Sequence, residues 1–465
     1  MDILYWTLVL PLAALVAWHV RRSDIGFGTC AAWALLTLAH GLLVKPLFVQ
    51  FEFPSRELLE LTLLTKISFD EYWQGGVAVL LPYAVFMACL FFAGAYGRRP
   101  PAAPALPRRV TWFHEGVLSV LALVALAGLV GFFIQFPQLL ESANKNTIAT
   151  ADIAEYNSGG IWRALAELGF VVAMCALVNL GLGRRPRLNR ALFVVSAALW
   201  LAFGFLSDQR GLVMFAVVTY FIAYGRYVAP VSRVMLAGIG VVLLLFIVSK
   251  TAMRLQGEGG GAGLEDLSGV MTNFIGQNLV ENGKTTTIVK SVPHLLDYQF
   301  GKTYLDAVLI LIPRALYPDK STVNLDTVVG NAIFDCDAFG ACGVPPGLVA
   351  ESYLNFGYLG VALLPALVGL LIGWLDRRFR VPRRGSVGDL FFVYALIYVG
   401  MAILGSGLSS TITQLLLQAL EIGLVGLLAG APGLLRRAAN DGPSSPAPTP
   451  PRSRNAVLGA GVGAG

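Results

Sequence analysis

The chain has 465 residues, of which 56% are hydrophobic and only 13% charged, and its mean hydropathy is +0.68. A soluble protein of this length could not bury so much apolar side chain and stay dispersed, so lipid is the expected solvent. The net charge of +6 would suggest nucleic acid in a soluble chain; here the placement of charge along the chain decides more than its sum, and no nucleic-acid partner is expected.

In chain order, about eleven apolar segments are long enough to span a bilayer: approximately 3–20, 25–48, 76–96, 115–136, 161–182, 191–206, 211–225, 234–249, 356–375, 389–406 and 411–431. The first has no basic start, and Arg21 and Arg22 follow its apolar run, so it reads as a span rather than a cleaved leader. Alternate loops carry the cations: Arg21 and Arg22, then the stretches 98–109, 184–190, 226–233 and 376–384, then Arg436. About 21 of the 34 Lys and Arg fall on this side with few acids among them, as the positive-inside rule expects of a cytoplasmic face. The expected fold is therefore all-α and polytopic, with the N-terminus outside and the C-terminus inside. Its expected divisions are residues 1–249 with eight spans, a long outer loop over 250–346, an interfacial helix and three more spans over 347–435, and a tail over 436–465. The tail, with "GPSSPAPTPPRSR" and "GAGVGAG", lacks apolar periodicity and is expected to be disordered.

Among the five cysteines, Cys30, Cys89 and Cys175 fall in spans as small core residues. Cys336 and Cys342 lie together in the outer loop, where a disulfide is expected if that space is oxidising. A zinc site would need more ligands than this neighbourhood supplies, so no metal or cofactor is expected.

The candidate chemistry gathers on the outer side. The short turn "LSDQRG" holds Asp208 and Arg210 between two spans; the bland alternative is an arginine reaching the headgroups with a local acid partner. Lys250 and Arg254 share a face if the helix before them continues, and the glycine run 259–263 then reads as a hinge, since it lacks the lysine and hydroxyl of a phosphate loop. The stretch 272–306 mixes polar and aromatic residues, among them Asn278, Glu281, Lys284, His294 and Tyr298; a lone histidine there is more often structural than catalytic. In "YLDAVLILIPRALYPDK", residues 305–312 read as a short helix dipping into the outer leaflet and ended by Pro313. Arg314 then lies at the lipid–water boundary, with Lys320 beyond it. "ESYLNFGYLGV" reads as an interfacial helix entering the ninth span, with Glu351, Tyr353 and Asn355 as its polar members. Arginine forks and lysine point charges beside apolar surface suit a lipid-linked anion.

On "SDQRG", "IPRALYPDK" and "ESYLNFGYLG", the chain resembles the Wzy-type oligosaccharide repeat-unit polymerases of bacteria, with span count and loop placement alike over about residues 1–435. The resemblance implies a metal-independent glycosyltransferase of the inner membrane that needs no cofactor. Its donor would be a growing glycan on undecaprenyl diphosphate and its acceptor a repeat unit on the same carrier, with a chain-length-regulating co-polymerase as a further candidate partner. Arg210, Lys250, Arg254, Arg314 and Lys320 are then the candidate diphosphate ligands, and Asp208, His294 and Glu351 the candidate catalytic groups. Two rivals remain open at this level. An O-antigen ligase shares the chemistry and differs in its acceptor. A transporter or flippase of lipid-linked sugar would call for ionisable groups deep between spans, and Glu167, Glu421 and His40 stand in apolar segments.

Overall fold

The computed structural model describes residues 1–23, 25–26, 28–52, 66–94, 96, 112–142, 160–207, 210–232, 238, 241, 282–309, 312, 325–334, 343–380 and 387–440, with the backbone alone at 141–142, 160, 210–212, 397 and 430–440. All regular structure among these residues is helical. The helices are α1 (Asp2–Arg22), α2 (Cys30–Gln50), α3 (Phe69–Gly94), α4 (Glu115–Gln135), α5 (Gly160–Gly181), α6 (Pro186–Leu206) and α7 (Arg210–Tyr227). They continue with α8 (Asn282–Ser291), α9 (Lys302–Leu309), α10 (Leu325–Phe334), α11 (Gly347–Phe379), α12 (Val387–Gly405) and α13 (Leu408–Asn440). Nine of them are long and apolar enough to cross a membrane, and the chain is a polytopic membrane protein. Of the eleven expected spans, one corresponds to α7, whose apolar part is shorter, and the segment 234–249 lies almost wholly outside the described residues.

The helices are longer than their apolar cores. α3 starts at Phe69 and brings Asp70 and Glu71 into its first turn, where carboxylates favour the helix dipole. α2 carries a π-helical turn over His40–Val44, and α12 carries another over Tyr398–Ala402. α5 is buried on all sides, with residues 170–178 inside the protein, as expected of a helix surrounded by other helices. It centres a core shared with α4, α6, α7, α12 and α13. A second core joins α1, α2 and α3 to α11 and α12. A third and smaller one, built on Ile288, Val292, Val329, Ile333, Ala350, Tyr353 and Leu354, joins α8 and α10 to the first part of α11. These last elements, with α9, form a head at one end of the bundle.

The two ends are told apart by their contacts. At one end Arg226, in the last turn of α7, pairs with Asp389 at 2.6 Å and donates to the Phe379 carbonyl at 2.8 Å. At that same end Asp376 accepts from the Cys30 and Ala31 amides at the start of α2 and from the Tyr96 hydroxyl. At the other end Lys290 of the head meets Glu71 of α3, and Asn282 donates to the Tyr5 hydroxyl of α1. Because α7 ends at the Arg226 pair, its first residue, Arg210, heads the helix at the end where the head sits.

Candidate functional site

The head is assembled around one face of α11. Its first segment stops at a break, where Phe356 and Gly357 leave helical geometry and Gly357 takes φ +57°, a conformation favoured by glycine. Upstream of the break, Glu351 and Asn355 lie one turn apart on one face, both fully buried. Asn355 donates to Thr303 Oγ1 at 2.8 Å and accepts from the Gly301 amide at 3.0 Å, and its own carbonyl accepts from the Phe300 amide at 3.1 Å. These bonds seat the start of α9 on α11.

Glu351 holds a second helix. Its carboxylate accepts from the Leu408 amide, and from the Ser409 amide at 3.1 Å, so it caps the N-terminus of α13 from 57 residues away. Thr303 Oγ1 also lies within 3.4 Å of Glu351 Oε1. Gly407, just before α13, has φ +109°, and a Cβ there would run into the Glu351 carboxylate. The "ESYLN" stretch is therefore a clamp that joins the first turns of α9 and α13 to α11. α9 leads directly toward the "IPR" stretch, and Thr413 of α13 supports it from behind through the Ala307 carbonyl at 3.4 Å.

The short helix expected at 305–312 is α9; it begins at Lys302, and the chain bends at Ile312. Its faces differ as the dipping helix requires: Thr303 and Ala307 point into the head, while Leu305 and Val308 are exposed. Phe300, Tyr358 and Leu359 are exposed as well. The exposed apolar line continues down α11 through Leu363, Leu367, Leu371 and Trp374. Tyr298, Tyr353 and Tyr358 form a chain of rings beside the break, with the Tyr298 and Tyr353 hydroxyls 3.2 Å apart.

A second acid, half-buried, lies in the head. Burial pushes the Asp326 carboxyl, at the start of α10, up to about 6 against the opposing pull of Lys284. Its carbonyl accepts from the Val344 amide at 2.8 Å, tying α10 to the approach to α11. Sequence reasoning singled out Lys284 only as a member of a polar loop and passed over Asp326; an acid in the first turn of an otherwise apolar ten-residue segment was the available signal.

Of the candidate residues, Glu351 stands at the centre of the clamp. His294 is exposed beyond the end of α8 and takes no part in the described hydrogen bonds of that clamp. Arg210 is described as the first residue of α7 by its backbone alone, and Asp208, Lys250, Arg254, Arg314 and Lys320 lie outside the described residues, as do Cys336 and Cys342. No group of three or more His, Cys, Asp or Glu among the described residues could hold a metal ion.

The O-antigen polysaccharide polymerase Wzy family model matches residues 167–412, more than half of the chain. The chain belongs to this family. No curated protein and no solved structure matches it. The match runs from within α5 to the first turn of α13 and so takes in the whole head, the clamp, and the stretches holding Arg210 and Arg314. Wzy membership makes the chain an enzyme of polysaccharide polymerisation, with lipid-linked oligosaccharide substrates implied by the family.

Proposed function

We propose that this Wzy polymerase transfers a growing glycan from undecaprenyl diphosphate to a hydroxyl of a second undecaprenyl-diphosphate-linked repeat unit, on the periplasmic side of the bacterial inner membrane. The acceptor oxygen bonds to the donor's anomeric carbon as the bond from that carbon to the diphosphate breaks. The diphosphate leaves with the electron pair, and the acceptor's proton passes to a base. Negative charge grows on the leaving diphosphate, so preorganised cations there lower the barrier. Arg314 and Arg210 are assigned this task first, with Lys250, Arg254 and Lys320 around them. Asp208 and His294 are the candidate bases. Glu351 is assigned a positioning role instead, since backbone amides occupy its carboxylate and no face of it meets solvent.

The observation that carries the reading is the two-faced α9. One face is fastened to the clamp and the other presents Leu305 and Val308 outward, and the helix leads straight to the "IPR" stretch. A substrate with its tail in lipid and its diphosphate at the surface needs apolar surface and cation side by side. The periplasmic orientation rests on the charge asymmetry of the loops. A cysteine placed at 259–263 should label from outside intact cells, and one placed beside Arg380 should not.

The decisive experiment reconstitutes the full chain in vesicles with purified lipid-linked repeat unit. A ladder of longer glycans with release of undecaprenyl diphosphate is expected. Redistribution of the substrate between leaflets without growth, or transfer only to a lipid A–core acceptor, would sink the proposal.

A further inference from the structure

The loop between α8 and α9 holds an aromatic residue outward in a strained conformation. Phe300 takes φ +45°, a left-handed geometry that bulky residues rarely adopt, and it is 77% exposed. The backbone of the loop accounts for the turn but not for the residue. The amides of Gln299, Phe300 and Gly301 donate in succession to the Leu354 carbonyl, the Asn355 carbonyl and Asn355 Oδ1, at 2.9, 3.1 and 3.0 Å. They satisfy acceptors at the point where α11 breaks, and a glycine at 300 would supply the same amide without strain. The Phe300 ring therefore has its use outside the packing of the head.

Phe300 is one end of a row of rings. Its centroid lies 6.1 Å from that of Tyr298, Tyr298 lies 5.8 Å from Tyr353, and Tyr353 lies 5.2 Å from Tyr358 on the far side of the break. Tyr353 is buried, Tyr298 half-buried, and Tyr358 as exposed as Phe300. The Tyr298 and Tyr353 hydroxyls share one hydrogen bond, so one of their two protons remains for an acceptor outside the pair. Asp297 and Lys302, on either side of the strained turn, are exposed. Charged groups are costly in hydrocarbon, so the Phe300 end of the row stands in water or among headgroups. The Tyr358 end joins the exposed apolar line of α11. The row thus runs from a lipid-facing surface out to water, as a glycan must when the tail of its carrier stays in the bilayer.

We propose that Phe300, Tyr298, Tyr353 and Tyr358 form a carbohydrate-binding platform for the repeat-unit glycan of a lipid-linked substrate. A sugar ring has a face of C–H bonds and an edge of hydroxyls. The face of an aromatic ring carries partial negative charge and attracts C–H groups, so sugar rings lie flat on Phe300 and Tyr358. Their hydroxyls meet the Tyr298–Tyr353 pair. The inference rests on the proposed function for the identity of the substrate, and it gives the glycan a subsite of its own, apart from the diphosphate. Donor and acceptor carry the same repeat unit, so the ligand chemistry is the same for both.

The test uses the full chain in lipid nanodiscs, titrated with the repeat-unit oligosaccharide released from its carrier and followed by saturation-transfer NMR. Wild type should transfer saturation to the sugar C–H protons. Phe300→Leu and Tyr358→Leu keep apolar surface but lose the ring, and each should weaken binding about tenfold; Phe300→Tyr should retain it. In vesicles, the same leucine variants should raise KM for the lipid-linked repeat unit by a similar factor and change kcat less. Single-turnover reactions with a pre-extended donor and a separately labelled acceptor show which glycan rests on the rings, by which of the two loses affinity. Phe300→Gly relieves the turn and should keep or raise the unfolding midpoint while binding weakens. A midpoint well below wild type would make the ring a packing element and overturn the platform. Leucine variants that bind and extend the glycan as wild type does would also overturn it and leave the rings as an anchor in the headgroup layer. A wild type that binds the free glycan but makes no ladder would overturn the proposed function and leave the platform standing.

Discussion

The two ends of the bundle use buried carboxylates in different ways. At the Arg226 end, Asp389 takes a two-pronged guanidinium and the Tyr227 hydroxyl, while Asp376 caps α2. At the head, Glu351 caps α13 in the same manner as Asp376 caps α2, but its described partners are amides and a hydroxyl, with no cation. An arginine is buried in packing at one end, whereas the Glu351 junction at the other closes on two backbone amides and the Thr303 hydroxyl.

The comparison predicts where a lost cation harms folding and where it harms chemistry. Removing Arg226 by Arg226→Ala strands Asp389 in the interior and should cost about 3–5 kcal/mol of stability. The readout is the yield and unfolding midpoint of purified protein, and a variant as stable as wild type would erase the contrast between the ends. Arg314→Ala should spare folding and lower the polymerisation rate about a hundredfold, equivalent to roughly 3 kcal/mol in the barrier. Arg314→Lys should recover only part of the rate, since an ammonium lacks the guanidinium fork. Wild-type turnover by Arg314→Ala would reduce that residue to a headgroup anchor.

A third prediction concerns pH. Asp326 has a folded value of about 6 against an ordinary value of 3.8, so the folded protein holds this proton more tightly than the unfolded chain. Its contribution to stability is complete below about pH 4 and is lost as pH rises through 6, amounting to about 3 kcal/mol at most. Asp326→Asn should flatten the unfolding midpoint across that window; an unchanged slope would remove Asp326 from the account of the head. The smallest effect expected is that of Glu351→Gln, about 1–2 kcal/mol from a weakened cap. It should act on the unfolding of the head, measured by hydrogen exchange at the first amides of α13, more than on the chemical step.

Much of the architecture is legible in the sequence because apolar length and loop charge are local signals. The spans, the short helix before Pro313 and the polar face of "ESYLN" could all be read directly. The role of Glu351 could not, since the amides it caps are 57 and 58 residues further on and a polar residue on a helix face does not name its partner. The same limit hid the Arg226–Asp389 pair, which joins residues 163 positions apart. The helix ends were misjudged for a different reason: hydropathy marks where lipid begins, whereas hydrogen bonding carries α3 out through Glu71 and α13 on to Asn440. The bond from Gln418 to Glu167 was visible only as an acid in an apolar run, which is also the signal of a transport site.

The break in α11 has a consequence for the membrane itself. From Tyr358 to Phe379 the helix is an unbroken rod of about 33 Å, little more than the hydrocarbon thickness of a bilayer, about 30 Å. The head is fixed to the top of that rod through Gly357, and the Phe379 carbonyl at its foot is held by Arg226. The height of the clamp above the opposite leaflet is thus set by one helix with little slack. On the proposed function, lipid chain length becomes a variable that acts on the reaction: a thicker bilayer should draw α9 down among the acyl chains, and a thinner one should lift it clear of them.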